Sequence, residues 1–257
     1  MSQPSRASAG VVVRSGLYAV WLVGLLILMG IVCLPALLAA RPAVLGVLRA
    51  WCRAQLWGLR WIVGLRVEFR GLEHRPTGPA LIAAKHQAEL DAIAPFAVLP
   101  DPCFVLKREL MRLPILGWYT RAAQMIPIDR GGGSNTVKAL SQAAAERLRE
   151  PRQLVIFPEG TRKLPGAPPA YKGGVAALYR DLELPCTPVA TNSGLFWPAK
   201  GMLFRPGLAV FQFLEPIPPG LHRAEFMRQI EGRIEAATAA LLAPAAITSG
   251  APPAPRP

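Results

Sequence analysis

The chain has 257 residues and a net charge of +13, from 29 Lys and Arg against 16 Asp and Glu. A hydrophobic fraction of 52% argues against a disordered chain. The four cysteines lie far apart without a Cys-x-x-Cys pair, which argues against a disulfide framework or a zinc site and predicts reduced, buried thiols. A basic and apolar protein suits an anionic partner, either a membrane surface or a nucleic acid.

The first predicted element is an apolar helix near the N-terminus. No charged residue occurs from residue 15 to residue 40, so the stretch 17–40 is long enough to cross a bilayer. Pro35 breaks or kinks this helix, and the part before it reaches only about 27 Å. Both a kinked helix that spans the bilayer and a helix that enters the bilayer and returns to the same side fit this pattern. The alternatives are a signal peptide cleaved near Ala39 and Ala40, for which the run is long, and a buried core helix.

The next segment, 44–64, has the pattern of a helix at a lipid interface. Three arginines fall within about 40° of one another at 100° per residue, and three tryptophans accompany them. These residues are Arg49, Arg53, Arg60, Trp51, Trp57 and Trp61. An amphipathic helix packed on a soluble core is the alternative. Since +7 of the net charge lies in residues 1–70, the pattern favours lipid over nucleic acid as the partner.

From residue 66 onward, short apolar runs alternate with helical patterns, which predicts an α/β domain with a mixed sheet flanked by helices. Strands are predicted at 66–69, 80–84, 103–106, 123–128, 153–157, 187–190 and 208–214, and helices at 91–99, 135–149, 173–180 and 223–242. Residues 243–257 contain five prolines and are predicted to be disordered. The expected division is a membrane-anchoring segment at 1–65, the α/β domain at 66–242 and a tail at 243–257.

His86 is the strongest candidate for a general base. It follows the predicted strand 80–84, and open α/β sheets place their sites at such strand ends, whereas His74 and His222 lie in polar turns. Asp91, five residues on, could hold the imidazole tautomer while His86 takes a proton. The alternatives are a helix N-cap for Asp91 and a surface imidazole for His86.

Two more clusters follow predicted strands. Arg130 is followed by three glycines and a helix start, an arrangement suited to a phosphate; a flexible loop with Ser134 as N-cap is the alternative. Phe157-Pro158-Glu159-Gly160-Thr161-Arg162 adds a carboxylate, a hydroxyl and a second arginine. No GxSxG, GxxxxGK[ST], GxGxxG or HExxH motif occurs, so a serine hydrolase, nucleotide-binding enzymes of those types and a zincin lack support.

These blocks together resemble a known family. His86-x4-Asp91, Ile126-Pro127-Ile128-Asp129-Arg130, the block from Phe157 to Arg162, and Thr187-Pro188-Val189-Ala190 follow one another as in the 1-acyl-sn-glycerol-3-phosphate acyltransferases. The resemblance covers about residues 66 to 218, with one departure: Lys85 stands where many members carry Asn. It implies a glycerolphosphate acyltransferase-like fold and acyl transfer from acyl-CoA or acyl-carrier protein to the free hydroxyl of lysophosphatidic acid.

The resemblance also implies the role of each residue. His86 is the general base and Asp91 orients it, with no acyl-enzyme intermediate. The residues expected to bind the acceptor are Glu159, Gly160, Thr161 and Arg162, with Arg130 and Arg162 on its phosphate; the block at Pro188 and Val189 supports the acyl-chain side. Lys107 is a further candidate for the phosphate, or else a solvated lysine. No metal and no cofactor are expected.

The implied location is the inner membrane, with the catalytic domain facing the cytoplasm and membrane lipids as partners. Another lyso-lipid acceptor, such as a lyso-ornithine lipid, is an alternative that changes only the headgroup contacts. A non-catalytic basic protein that binds membranes or nucleic acid is a third hypothesis. Residues 71–257 carry only +6, and such a protein has no use for the His86–Asp91 pair, so no nucleic-acid partner is expected.

Overall fold

A computed structural model of the chain describes residues 8–129 and 133–249, except for the side chains of 133, 134 and 244–249. Helix α1 (Ala9–Val32) begins eight residues earlier than predicted, where the side chain of Ser8 caps it by accepting the N–H of Val11. A 3₁₀ turn (Leu34–Leu38) containing Pro35 ends it. Helix α2 (Arg41–Gly58) follows, extended by a π-helical turn (Leu59–Val63).

Seven strands form one mixed sheet among the described residues. They are β1 (Leu65–Arg70), β2 (Ala80–Ala84), β3 (Pro102–Lys107), β4 (Ile126–Ile128), β5 (Gln153–Ile156), β6 (Cys186–Thr191) and β7 (Gly207–Phe213). Their order is β1-β7-β6-β2-β5-β3-β4. All neighbours are parallel except β6 and β7, which confirms the predicted mixed sheet.

The remaining helices are α3 (Leu90–Ile93), α4 (Leu116–Ala122), α5 (Gly133–Arg147), α6 (Gly174–Leu182) and α7 (Arg223–Ser249). The predicted helix 91–99 is shorter and passes into a 3₁₀ turn containing Pro95. The predicted strand 123–128 begins only at Ile126, because Gln124 has a positive φ of 57° in a turn. Helix α4, rich in residues of low helix propensity, was not predicted.

The C-terminal boundary also differs from the prediction. Helix α7 continues to Ser249, so the proposed tail at 243–257 begins within a helix. Alanine, the residue with the highest helix propensity, stands at 243, 245 and 246 on either side of Pro244. Residues 250–257 lie outside the described residues.

The sheet has a packed layer of helices on each face. Alternate residues of β2 point to opposite sides: Ile82 and Ala84 join the core under α1, α2 and α3, and Leu81 and Ala83 join the core under α5, α6 and α7. Burial on both faces explains why β2 is an uninterrupted apolar run.

The arginines of α2 do not all have the role that the interfacial pattern suggested. Arg49 donates hydrogen bonds to the carbonyls of Phe96, Leu99 and Pro100, so it fastens α2 to the domain. Arg53 and Arg60 remain exposed. Helix α2 is therefore a packed helix with an exposed basic edge, and Arg49 follows the alternative of a helix packed on the domain.

Candidate active site

Three adjacent strands bring the candidate residues to one edge of the sheet. β5, β2 and β6 are parallel neighbours, so their carboxyl ends meet at the same edge. His86 lies two residues after β2, the block starting at Phe157 follows β5, and Ser193 lies two residues after β6.

The predicted pair of His86 and Asp91 is present. Nδ1 of His86 lies 3.1 Å from Oδ2 of Asp91, and this carboxylate is 1% exposed. Oδ2 also accepts the backbone N–H groups of Gln87 at 2.6 Å and Ala88 at 2.8 Å, and Oδ1 accepts the hydroxyl of Ser193. The carboxylate thus has one fixed orientation, and it serves the imidazole as well as closing the turn before α3.

The imidazole of His86 is held on its flat face as well. It stacks on the ring of Phe157, with centroids 3.9 Å apart and an interplanar angle of 12°. Because Nδ1 faces Asp91, the tautomer with its hydrogen on Nδ1 leaves a lone pair on Nε2. Nε2 is therefore the nitrogen available to accept a proton from a substrate.

A cavity of about 560 Å³ opens beside His86 on the α1 and α2 side of the sheet. Side chains from α1, α2, β3 and α4 line it, and most of them are apolar. Ile115 packs directly against Gly30 of α1: a Cβ added at Gly30 would lie only 2.3 Å from Cγ2 of Ile115. This volume falls in the range of small-molecule sites, and the apolar lining suits a hydrocarbon chain.

Cationic and hydroxyl side chains also line the cavity. Lys107, Thr161 and Arg162 are among its lining residues. Arg162 forms an ion pair with Glu89, and Lys107 lies 3.4 Å from Glu109. Both cations are partly exposed, so these pairs can exchange for another anion at little cost. Arg130, the other predicted phosphate ligand, lies outside the described residues.

Glu159 and Gly160 occupy different places from those of Thr161 and Arg162. The Glu159 carboxylate is 1% exposed and accepts a hydrogen bond from Lys85 Nζ at 3.0 Å. Neither Glu159 nor Gly160 lines the cavity beside His86. Gly160 has a positive φ of 66°, which glycine adopts without strain in this turn. In this structure the Glu159 carboxylate therefore faces Lys85, and its contact with an acceptor stays a prediction.

Sequence reasoning missed three contributors to this site. Phe157 was noted as part of a block but not as the stacking partner of His86. Ser193 follows β6 at the same sheet edge as His86, which was the available signal. Lys85 was noted only as a departure from a pattern, although a charged residue ending an apolar strand indicates a buried partner.

No group of three or more His, Cys, Asp or Glu within residues 8–129 and 133–249 is arranged to hold a metal ion.

Burial raises the pKa of the Glu159 carboxyl and Glu235 adds to the rise, while Lys85 and the backbone N–H of His86 oppose it.

Comparison with known proteins gives consistent matches. Residues 66–192 match the family model described as Acyltransferase. The 1-acyl-sn-glycerol-3-phosphate acyltransferase of Pseudomonas aeruginosa is 36% identical over 161 residues, which are 63% of this chain and 63% of that protein. The human protein 1-acyl-sn-glycerol-3-phosphate acyltransferase alpha is 31% identical over 169 residues, 65% of this chain and 60% of that protein. The chain thus spans less than two thirds of the length of these relatives.

A solved structure shows the same fold. The crystal structure of the 1-acyl-sn-glycerophosphate (LPA) acyltransferase PlsC from Thermotoga maritima matches with a TM-score of 0.72 at 19% identity. The match covers 90% of this chain and 97% of that one. The predicted fold class is therefore confirmed.

Proposed function

We propose that this chain, whose residues 66–192 match the family model described as Acyltransferase, acylates lysophosphatidic acid to phosphatidic acid. The acyl donor in this proposal is the thioester of acyl-CoA or acyl-carrier protein. The supporting observation is the His86–Asp91 pair, 3.1 Å apart, at a largely apolar cavity that Arg162 and Lys107 also line. Such a site offers a base, a place for a hydrocarbon chain and cations for a phosphate.

In the proposed reaction His86 acts as the general base. Nε2 accepts the proton of the acceptor hydroxyl as its oxygen attacks the thioester carbonyl carbon. The Asp91 carboxylate stabilises the imidazolium that forms. When the C–S bond breaks, the proton passes from Nε2 to the leaving thiolate, so the imidazole returns to its starting state. No covalent enzyme intermediate is required, and no metal takes part.

The two substrates divide the site between them. The acyl chain lies in the apolar cavity between α1, α2 and the strand ends. Arg162 exchanges Glu89 for the acceptor phosphate, because a doubly charged phosphate competes well with one exposed carboxylate for a guanidinium. Lys107 adds a second charge at the same cavity, and Arg130 stays a predicted ligand of this phosphate.

Helix α1 supports a membrane location for the enzyme. Among the described residues it is the one helix long and apolar enough to cross a bilayer by length and composition. Large apolar side chains stay exposed along its whole length: Val13, Leu17, Val20, Leu28 and Val32 are 58–74% exposed. Trp57 in the last turn of α2 and Trp61 in the π-helical turn that follows are also more than half exposed, as is typical of an interface with lipid headgroups.

The packing of α1 argues that it lies along the domain and does not cross the bilayer. Near its start, the Ser15 hydroxyl donates to the carbonyl of Phe204 and accepts its N–H. Near its end, Tyr119 donates to the carbonyl of Gly30. These contacts are about 22 Å apart along the helix, so the domain accompanies most of α1. We propose that the exposed apolar side chains of α1 insert into one leaflet of the inner membrane, with the domain on the cytoplasmic side.

Fractionation tests this attachment. The protein is expected to stay in the membrane pellet after a high-salt wash, since salt screens charges but not apolar burial. The double variant Val20→Asp with Leu28→Asp is expected to shift it to the supernatant. The matched control is Ala239→Asp, an exposed position on α7 at the opposite face of the sheet. Release of the wild type by salt alone, or retention of the double variant, would contradict insertion of α1.

A panel of acceptors and donors tests the activity. Purified protein in lipid or detergent is given lysophosphatidic acid, lysophosphatidylcholine or lyso-ornithine lipid, each with acyl-CoA or acyl-carrier protein. We expect turnover of lysophosphatidic acid well above that of the other acceptors. His86→Ala, measured in parallel, separates the enzyme from contaminating activity. Preference for an acceptor without a phosphate monoester would overturn the proposed substrate and leave the acyl-transfer chemistry intact.

A further inference from the structure

A buried charged cluster lies directly behind the catalytic pair. Lys85, the residue before His86, is 3% exposed. Its ammonium lies 3.0 Å from Oε1 of Glu159 and 2.7 Å from Oε1 of Glu235 on α7. The hydroxyl of Tyr171 donates to the same oxygen of Glu235 at 2.9 Å. The Lys85 ammonium thus connects the segment after β2, the turn after β5 and helix α7.

The cluster and the imidazole lie on opposite faces of the same strand end. Successive residues of an extended chain point to opposite sides, so Lys85 faces α7 while His86 faces the cavity. Lys85 N–H also bonds to the carbonyl of Val189 on β6. The backbone next to His86 is therefore fixed by two sets of interactions. These are the ion pairs of the Lys85 side chain and the hydrogen bond from Lys85 N–H to β6.

The charges in this cluster depend on one another. The Glu159 side chain is 1% exposed and that of Glu235 is 26% exposed. Without a cation these two carboxylates would repel each other, and the buried ammonium without a carboxylate would lose its solvation with no compensation. Burial raises the pKa of Glu159 and Glu235 adds to the rise, whereas Lys85 opposes it. Removing the ammonium therefore disturbs the turn that leads from Glu159 to Thr161 and Arg162, as well as the peptide before His86.

We propose that Lys85 is a positioning residue of the active site, which couples Glu235 of α7 to Glu159 and so fixes His86 relative to Arg162. The proposal rests on the acyltransferase activity proposed above. It extends the functional unit beyond the matched segment 66–192, because α7 supplies Glu235. It also gives a physical role to the residue at which this chain departs from the family's pattern.

The first test separates turnover from binding. Lys85→Met keeps the length of the side chain and removes its charge. We expect kcat to fall roughly 10- to 100-fold, because small displacements of reacting groups have effects of this size, with KM for lysophosphatidic acid changed less than about threefold. Lys200→Met, at an exposed lysine, is the matched control and should keep wild-type kinetics. Lys85→Arg should recover part of the lost kcat.

A double-variant cycle tests whether Lys85 acts through Glu159. Kinetic constants are measured for Lys85→Met, Glu159→Gln and the variant carrying both. If the ammonium acts through this carboxylate, the double variant turns over no more slowly than the slower single variant. Losses in kcat that multiply would show that the two residues act independently and would overturn the proposal.

A third variant keeps the test valid if Lys85→Met does not fold. Glu235→Gln leaves the pair of Lys85 and Glu159 with balanced charge, so it should fold as the wild type does in thermal unfolding. We expect a smaller loss of kcat, roughly 2- to 10-fold, with KM unchanged. Glu215→Gln, at an exposed glutamate, is its control. Wild-type kcat in Glu235→Gln would overturn the coupling to α7.

Hydrogen–deuterium exchange separates failure of this proposal from failure of the proposed function. In Glu235→Gln and any folded Lys85→Met protein, amide exchange should rise at residues 84–91 and 157–162 and stay at wild-type level in the Lys200→Met control. This readout does not depend on which acceptor is used. Unchanged exchange would overturn the positioning role even in an active enzyme, whereas an inactive wild type with the expected exchange changes would overturn only the assigned reaction.

Discussion

The substitution Asp91→Asn tests the charge of the proposed catalytic pair, His86 and Asp91, while keeping most of its geometry. In the structure, the N–H groups of Gln87 and Ala88 both point at Oδ2. An asparagine at this position must therefore place its oxygen there, with its NH₂ group towards Ser193, whose hydroxyl can rotate to accept. The donors of His86, Gln87 and Ala88 keep an acceptor, so the variant should fold and the tautomer of His86 should be retained. The variant therefore loses the negative charge and the one hydrogen bond that Ser193 donates, and the second of these losses is measured separately by Ser193→Ala.

The expected loss follows from electrostatics. Asp91 is 1% exposed and the side chain of His86 is 12% exposed, so the dielectric of bulk water does not apply. At an effective dielectric constant of about 20, two unit charges about 4 Å apart attract by about 4 kcal/mol. This stabilises the imidazolium only while His86 carries the proton. Since about 1.4 kcal/mol is tenfold in rate, kcat should fall roughly 10²- to 10³-fold.

The assay is steady-state acyl transfer to lysophosphatidic acid, with thermal unfolding measured on the same preparation. KM should change less than about threefold, because Asp91 does not line the cavity. Ser193→Ala is the comparison: it removes one hydrogen bond to the carboxylate and keeps the charge, so kcat should fall about tenfold or less. If Asp91→Asn stays within threefold of wild-type kcat, or if Ser193→Ala is equally damaging, the charge argument is refuted.

Substitutions at four further residues and one chelation experiment follow. His86→Ala should lower kcat by roughly 10²- to 10⁴-fold with little change in KM, as measured by initial rates; a folded variant near wild-type turnover would mean that another base acts. Arg162→Ala and Arg130→Ala should mainly raise KM for lysophosphatidic acid, and Lys at either position should rescue only in part, because it keeps the charge but not the planar fork; equal loss for an acceptor without phosphate would disprove their role. Phe157→Leu should lower kcat about 2- to 10-fold by removing the stacked ring; unchanged kinetics would show that the stack contributes nothing. Activity should persist in EDTA, and restoration by a divalent ion after its loss would show that the proton-transfer account is incomplete.

The alternation of elements could be predicted from the sequence because its causes are local. The run at Ala80–Ala84 is apolar on both faces, so it had to be a buried strand. His86 and Asp91 are five residues apart at the end of that strand, and a turn of this length already brings a side chain back towards its neighbour. The bounds of this strand and the pair of His86 and Asp91 could therefore be predicted without information about distant residues.

Element ends were less predictable, because they depend on the balance between weak propensities and packing. Helix α7 continues past Leu242 to Ser249, through the proline-containing segment from which a disordered tail was predicted. Arg49 was expected at a lipid interface, but three backbone carbonyls between residues 96 and 100 accept its hydrogen bonds. A helical pattern shows that one side is basic; it does not show whether carbonyls or phosphates meet that side.

The parts of the site that only the tertiary structure decided are those made across the sheet. Ser193 bonds to a carboxylate 102 residues earlier, and Glu235 pairs with an ammonium 150 residues earlier. No spacing in the chain indicates such contacts, because they depend on which strands become neighbours. The order β6-β2-β5 places three distant strand ends side by side, and the helices packed on its two faces determine that Lys85 meets Glu235 while His86 meets the cavity.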